Sequence, residues 1–287
     1  MDDLKVMSRA RAFLRDINSV AIPAPIQAYV DKVNGKLKSD KTMGPDEAGY
    51  SFQSKGSYVI TVNGNDRCER QNFTICHEIA HIVLGLPSEH GNGPSWSYAK
   101  RSPNEIACDI FAAELLLPYH VFKPIAEQTD FGFAAIGQLA KRFEASLSAT
   151  GSRFAAMVDA PCACVLAEQG KVRYPARSTS LRAASAWISP GSRLPAESLA
   201  EKLRGGSAYA GPIELAADLW FDSWSRGGVV LEDARCYRDW DQTLSLIWFE
   251  GEEVPSPPRT VREEEEETGL RELDGILPWP GKSRCRR

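Results

Sequence analysis

The stretch His77-Glu78-Ile79-Ala80-His81 sets two imidazoles four residues apart, with a carboxylate directly after the first. On an α-helix, residues four apart share a face, so His77 and His81 can aim at one ion. Glu78 can lie beside that ion without ligating it, where a general base for an activated water belongs. This is the chemistry of a zinc hydrolase, and catalytic zinc usually takes three protein ligands and one open position. The acidic residues available for the third place are Glu105, Asp109 and Glu114; the remaining histidines are His90 and His120. At about 100° per residue, Asp109 lies roughly 40° from Glu105 around a helix, and Glu114 roughly 180° from it. Glu105 and Asp109 can therefore serve one site together, and Glu114 cannot join them.

The surrounding sequence must supply the helices that carry these groups. Asp66-Arg67-Cys68-Glu69 reads as a capping box opening the histidine helix, and Gly85 and Pro87 close it. Ser57-Tyr58-Val59-Ile60-Thr61-Val62 before it is a β-branched strand. Ser102-Pro103-Asn104-Glu105 opens a second helix with Ser102 as N-cap, and Pro118 ends it. Glu105 is thus asked both to reach back to the Ser102 amide and to face the ion, and it cannot do both. Residues 4–18 and 25–33 have helical apolar spacing, and Asp40 to Gly49 reads as a turn-rich loop. From Phe133 to Met157, two short helical patterns broken near Glu144-Ala145-Ser146 form a helix-turn-helix unit. After Asp159, short apolar segments alternate with Gly, Pro and Ser turns, as in an α+β unit with an antiparallel sheet. Five of the seven tryptophans (Trp187, Trp220, Trp224, Trp240, Trp248) fall there and are expected to build its core.

Asn104-Glu105-x-x-x-Asp109 resembles the N-E-x-x-x-D element of thermolysin-type gluzincins. The resemblance implies Glu105 as third zinc ligand and Asp109 as the carboxylate that takes a hydrogen bond from His77. More widely, Arg70 to His81 and Glu105 to Pro118 resemble the ImmA/IrrE metallopeptidases, whose pattern runs R-x-x-F-T-x-x-H-E-x-x-H and then E-x-x-A-[ND]-x-F-A-A-x-L-L-x-P. Cys108 stands where the family has alanine. The likeness spans about residues 26–157. It implies a cytoplasmic zinc peptidase that cleaves a helix-turn-helix transcriptional repressor and so releases stress-response or mobile-element genes, followed by a GAF-like domain.

The totals agree with a protein of this kind. A net charge of -4 gives no global case for nucleic acid, and Lys141, Arg142 and Arg153 against Glu144 leave the helix-turn-helix unit too few cations to expect DNA binding. Seven scattered cysteines without a C-x-x-C fit a reducing cytoplasm, and Cys162-x-Cys164 reads as strand packing. No run is long and apolar enough for a membrane span. The expected architecture is α+β: a mostly helical zincin-like peptidase unit with a small sheet (1–125), a helix-turn-helix segment (126–158), an α+β GAF-like sensor or docking unit (159–252), and an acidic, Pro-rich tail (253–287). Zinc is the expected cofactor, with His77, His81 and Glu105 as ligands, Glu78 as base and Asp109 in support. Tyr98, Arg101 and His120 are candidate oxyanion donors. The competing reading is a regulatory binding module in which the zinc is structural and a partner or ligand docks without proteolysis.

Overall fold

The computed structural model describes residues 2–17, 21–87, 102–251 and 254–255. The chain is α+β. It begins with α1 (Asp3–Ile17) and α2 (Ile26–Lys32), followed by β1 (Gly35–Asp40), β2 (Gly49–Ser54) and β3 (Ser57–Asn63). These strands form one sheet in the order β1-β3-β2, with β1 parallel and β2 antiparallel to β3. Helices α3 (Cys68–Leu84) and α4 (Pro103–Leu116) carry the two motifs and pack on each other, α3 lying against the sheet and α4 against α1. Ile60 and Val62 of β3 are buried in the same core as Ile75, Ile79, Phe111 and Leu115.

Helices α5 (Tyr119–Ala126), α6 (Phe133–Phe143) and α7 (Leu147–Met157) follow. The second sheet comprises β4 (Cys162–Glu168), β5 (Lys171–Arg177), β6 (Ile213–Ala216), β7 (Val229–Tyr237) and β8 (Gln242–Phe249), in the order β5-β4-β8-β7-β6, wholly antiparallel. Helices α8 (Thr179–Ala183) and α9 (Leu199–Arg204) belong to the connections. Strand β4 is buried along its whole length because its alternate residues enter two different cores. Cys162, Cys164 and Leu166 join the core that holds the motif helices. Ala163, Val165 and Ala167 join a second core with Leu181, Leu199 and Trp220. The sheet is thus a shared wall between the motif-helix side and the α8/α9 side.

Several expectations are corrected. Residues 35–40 and 49–54 form strands on either side of the Asp40–Gly49 turn region. The histidine helix has Arg67 as N-cap without a side-chain cap, while Asp66 pairs with Arg70 at 3.1 Å, so there is no capping box there. Of the five tryptophans, Trp220 and Trp248 are buried, whereas Trp187 and Trp240 are 51% and 55% exposed. Helix α7 agrees with the expectation that this unit does not read DNA. None of its residues is exposed, Arg153 is committed to Glu114 and to the Leu117 carbonyl, and Gly151 lies against Cys164 of β4. A helix that enters a major groove needs an exposed face. At the other end of the unit, Asp233 of β7 accepts the backbone N–H of Phe133 at 2.7 Å and fixes the start of α6. Among the described residues no helix is long and apolar enough to cross a membrane. His90, Tyr98, Arg101 and the acidic block Glu263 to Glu267 lie outside the described residues.

Candidate metal centre

Two helix termini set the site. At the end of α3, Gly85 adopts φ +67°, a left-handed conformation that glycine takes without strain. The chain turns back, and the backbone N–H groups of Gly85 and Leu86 both donate to the His81 carbonyl. This turn brings the Leu86 carbonyl within 3.2 Å of His81 Nδ1. At the start of α4, Ser102 Oγ accepts the Glu105 N–H at 3.4 Å, and the Glu105 side chain turns toward the histidines. The two demands on Glu105 are resolved by leaving the cap to Ser102 alone.

The Nδ1 partners select the tautomer each ring would take as a metal ligand; in the metal-free protein His77 Nε2 also meets a carboxylate, that of Glu105. A carbonyl oxygen only accepts, so His81 Nδ1 carries a proton toward Leu86. Asp109 Oδ1 lies 3.0 Å from His77 Nδ1 and accepts there in the same way. In the neutral rings both Nε2 lone pairs are then left pointing at one locus. His77 Nε2 and His81 Nε2 are 3.1 Å apart, Glu105 Oε2 is 3.0 Å from the first, and Glu105 Oε1 is 3.4 Å from the second. Bonds of 2.0–2.1 Å at tetrahedral angles separate neighbouring ligand atoms by about 3.3 Å. One ligand atom from each of the three residues lies within 4.8 Å of the other two, close enough to share one metal ion, and all three residues are buried.

Burial disfavours a charged His77, but the hydrogen bonds and negative charges of Asp109 and Glu105 outweigh it and bring the imidazole to about 9. The electron pairs that draw a proton to His77 are those that would draw a metal ion. Because the folded value is raised, this ion pair stabilises the metal-free protein fully below the ordinary value of 6.5, and the contribution is lost as pH rises through about 9. At pH 7.5, between these values, zinc uptake is expected to release about one proton from His77. Calorimetry in buffers of different ionisation enthalpy measures this, and a release that is the same at pH 7.5 and above pH 9.5 contradicts it.

Glu78 is fully buried, and its Oε2 accepts a 2.6 Å hydrogen bond from Ser51 Oγ on β2. Nothing in the sequence pointed to Ser51. Cys108, beside the site on α4, is held at about 12 by burial and by the nearby Glu105, Asp109 and Glu78, so it stays a neutral thiol. Glu114 faces the other side of α4, where it meets Arg11 of α1 and Arg153 of α7. His120 is exposed at the start of α5. If zinc is held by His77, the Asp109 carboxylate would orient that ring, and Asp109→Asn is then expected to weaken zinc binding about 10- to 100-fold. Competition with a chromophoric chelator reads this, and an unchanged affinity would remove Asp109 from the site.

Residues 36–155 match the family model described as Peptidase M78, IrrE N-terminal-like domain. The chain is 28% identical over 154 residues to the radiation response metalloprotease IrrE of Deinococcus radiodurans, a match covering 50% of this chain and 44% of that protein. The chain thus spans less than half the length of that relative. Among solved structures, a Mycobacterium tuberculosis transcriptional regulator has the same fold, with a TM-score of 0.58 at 11% identity over 85% of this chain and 76% of that one.

Proposed function

We propose, because residues 36–155 belong to the ImmA/IrrE family of metallopeptidases, that this protein is a zinc-dependent endopeptidase that cleaves a helix-turn-helix transcriptional repressor. The observation that carries the reading is the convergence of His77 Nε2, His81 Nε2 and the Glu105 carboxylate within 4.8 Å, with Glu78 next to His77 in the chain and buried. Zinc held there would supply a Lewis acid and a water acidic near neutral pH. Glu78 takes the proton from the attacking water and returns it to the leaving amine. Asp109 keeps the His77 ring in the tautomer that leaves Nε2 unprotonated.

The edge position of β2 supports a peptide substrate. Its far side carries no partner strand among the described residues, and Ser51 on its inner face touches Glu78. An extended segment added there would run past the base. A structural zinc is closed by four protein ligands and needs no base, which favours the enzyme over a binding module with a structural metal. On this reading 1–125 is the catalytic unit and 126–158 joins it to a docking or sensing unit over 159–252, with 253–287 as a tail. Helix α7, none of whose residues is exposed, supports a connecting role for 126–158 rather than DNA reading.

The test is co-incubation with the helix-turn-helix protein encoded nearest to this gene, with zinc and with chelator. Zinc-dependent scission at a single mapped bond is expected. An intact repressor under both conditions contradicts the proposal.

A further inference from the structure

We propose that Ser51 is a positioning residue that holds the Glu78 carboxylate for proton transfer, and that Gly49 sets the approach of strand to helix that makes this contact. The inference rests on Glu78 being the base, and it adds a residue from outside both motifs. In β2, Gly49 and Ser51 are two apart and share the inner face of the sheet, opposite Val62 and Ile60 of β3. In α3, Thr74 and Glu78 are four apart and share the face that packs on that strand. The two pairs meet in register. A Cβ at Gly49 would stand 2.6 Å from Thr74 Cγ2 and 2.5 Å from the Thr61 carbonyl oxygen, so a larger residue would push β2 off the helix. One step along each element, the same approach puts Ser51 Oγ 2.6 Å from Glu78 Oε2.

The pattern of β2 supports a dedicated role. A half-buried strand ordinarily turns its apolar residues inward. Here the inner positions hold Gly49 and Ser51, and the aromatic Tyr50 and Phe52 are turned out, 43% and 47% exposed. The Ser51 hydroxyl donates to Glu78 Oε2 at 2.6 Å, a contact that suits a carboxylate. With Oε2 anchored, rotation of the carboxylate is restricted and Oε1 is left oriented.

The experiment compares wild type, Ser51→Ala, Ser51→Thr and Glu78→Gln as full chains loaded with zinc, using the neighbouring helix-turn-helix repressor as substrate. Loss of a hydrogen bond to a charged group predicts that Ser51→Ala lowers kcat about 10- to 100-fold. KM, zinc content and thermal midpoint should stay at wild-type values. Ser51→Thr keeps the hydroxyl on a residue suited to strands and should restore most of the rate. In a crystal structure of Ser51→Ala, the Glu78 carboxylate should leave its wild-type orientation. Wild-type kcat in Ser51→Ala with Glu78 unmoved overturns the inference alone. Loss of rate in step with zinc content or thermal midpoint, without rescue by threonine, assigns Ser51 a structural role and also overturns it. Absence of cleavage by wild type, or full cleavage by Glu78→Gln, overturns the underlying reading instead.

Discussion

On the proposed reading, Glu78→Gln should leave zinc bound and reduce repressor cleavage by about a thousandfold or more, within the range that general acid–base groups supply. The substitution keeps the size of the side chain and an oxygen that can accept from Ser51 Oγ, which lies 2.6 Å from Oε2 in the native protein. The basic oxygen that takes the proton from water is what disappears. His77, His81 and Glu105 are untouched, so zinc content should match wild type when measured by elemental analysis beside kcat. Cleavage that persists with zinc retained would assign the base elsewhere.

Glu114→Leu should be the most destabilising single change in the peptidase region, costing about 3–5 kcal/mol, because it strands a buried cation. Glu114 is fully buried and ties three helices together. Its carboxylate bonds Arg11 of α1 at 3.1 Å, forms a short contact with Arg153 of α7, and accepts the backbone N–H of Tyr119 at 3.0 Å. Arg11 is 40% exposed and can turn to water, so its share is small. Arg153 is mostly buried, with 13% of its side chain exposed; burial pulls its guanidinium below the ordinary value, and Glu114 acts against that shift. Removing the carboxylate alone leaves that charge without its partner. Replacing both, as Glu114→Leu with Arg153→Met, should recover much of the loss, because an apolar pair needs no counter-charge. Denaturant unfolding of the two variants measures this. A single-variant cost below about 1 kcal/mol, at the level of an exposed ion pair, would mean the bridge is not structural.

The motif helices were legible because each is governed by one period. His77 and His81 repeat at four, Glu105 and Asp109 repeat at four, and Glu114 falls half a turn away. The structure places these groups where helical geometry puts them. Strand β2 was not legible, and the reason is physical. Tyr50 and Phe52 do alternate with Gly49, Ser51 and Gln53, but the run is short and follows turn residues, and its inner face is small and polar where it approaches Glu78, so the alternation did not mark a strand with an apolar inner face. The role of Arg153 was hidden for another reason. Its partner Glu114 lies 39 residues earlier, and only the packing of α7 against the rest of the core brings them together. Counted in sequence it was a cation on a helix-turn-helix; in the fold it is the far half of an ion pair. The apparent capping box at Asp66 misled because Asp66 had a competing partner, Arg70, one turn along the helix.

X-ray absorption at the zinc edge of the purified protein tests the central claim most directly. One zinc per chain is expected, with two imidazole nitrogens and carboxylate and solvent oxygens at about 2.0–2.2 Å. The imidazole scattering should be lost in His77→Ala and His81→Ala. A zinc–sulfur distance near ~2.3 Å would place the metal on cysteine instead, and zinc that survives both histidine substitutions would place it away from α3; either result contradicts the account.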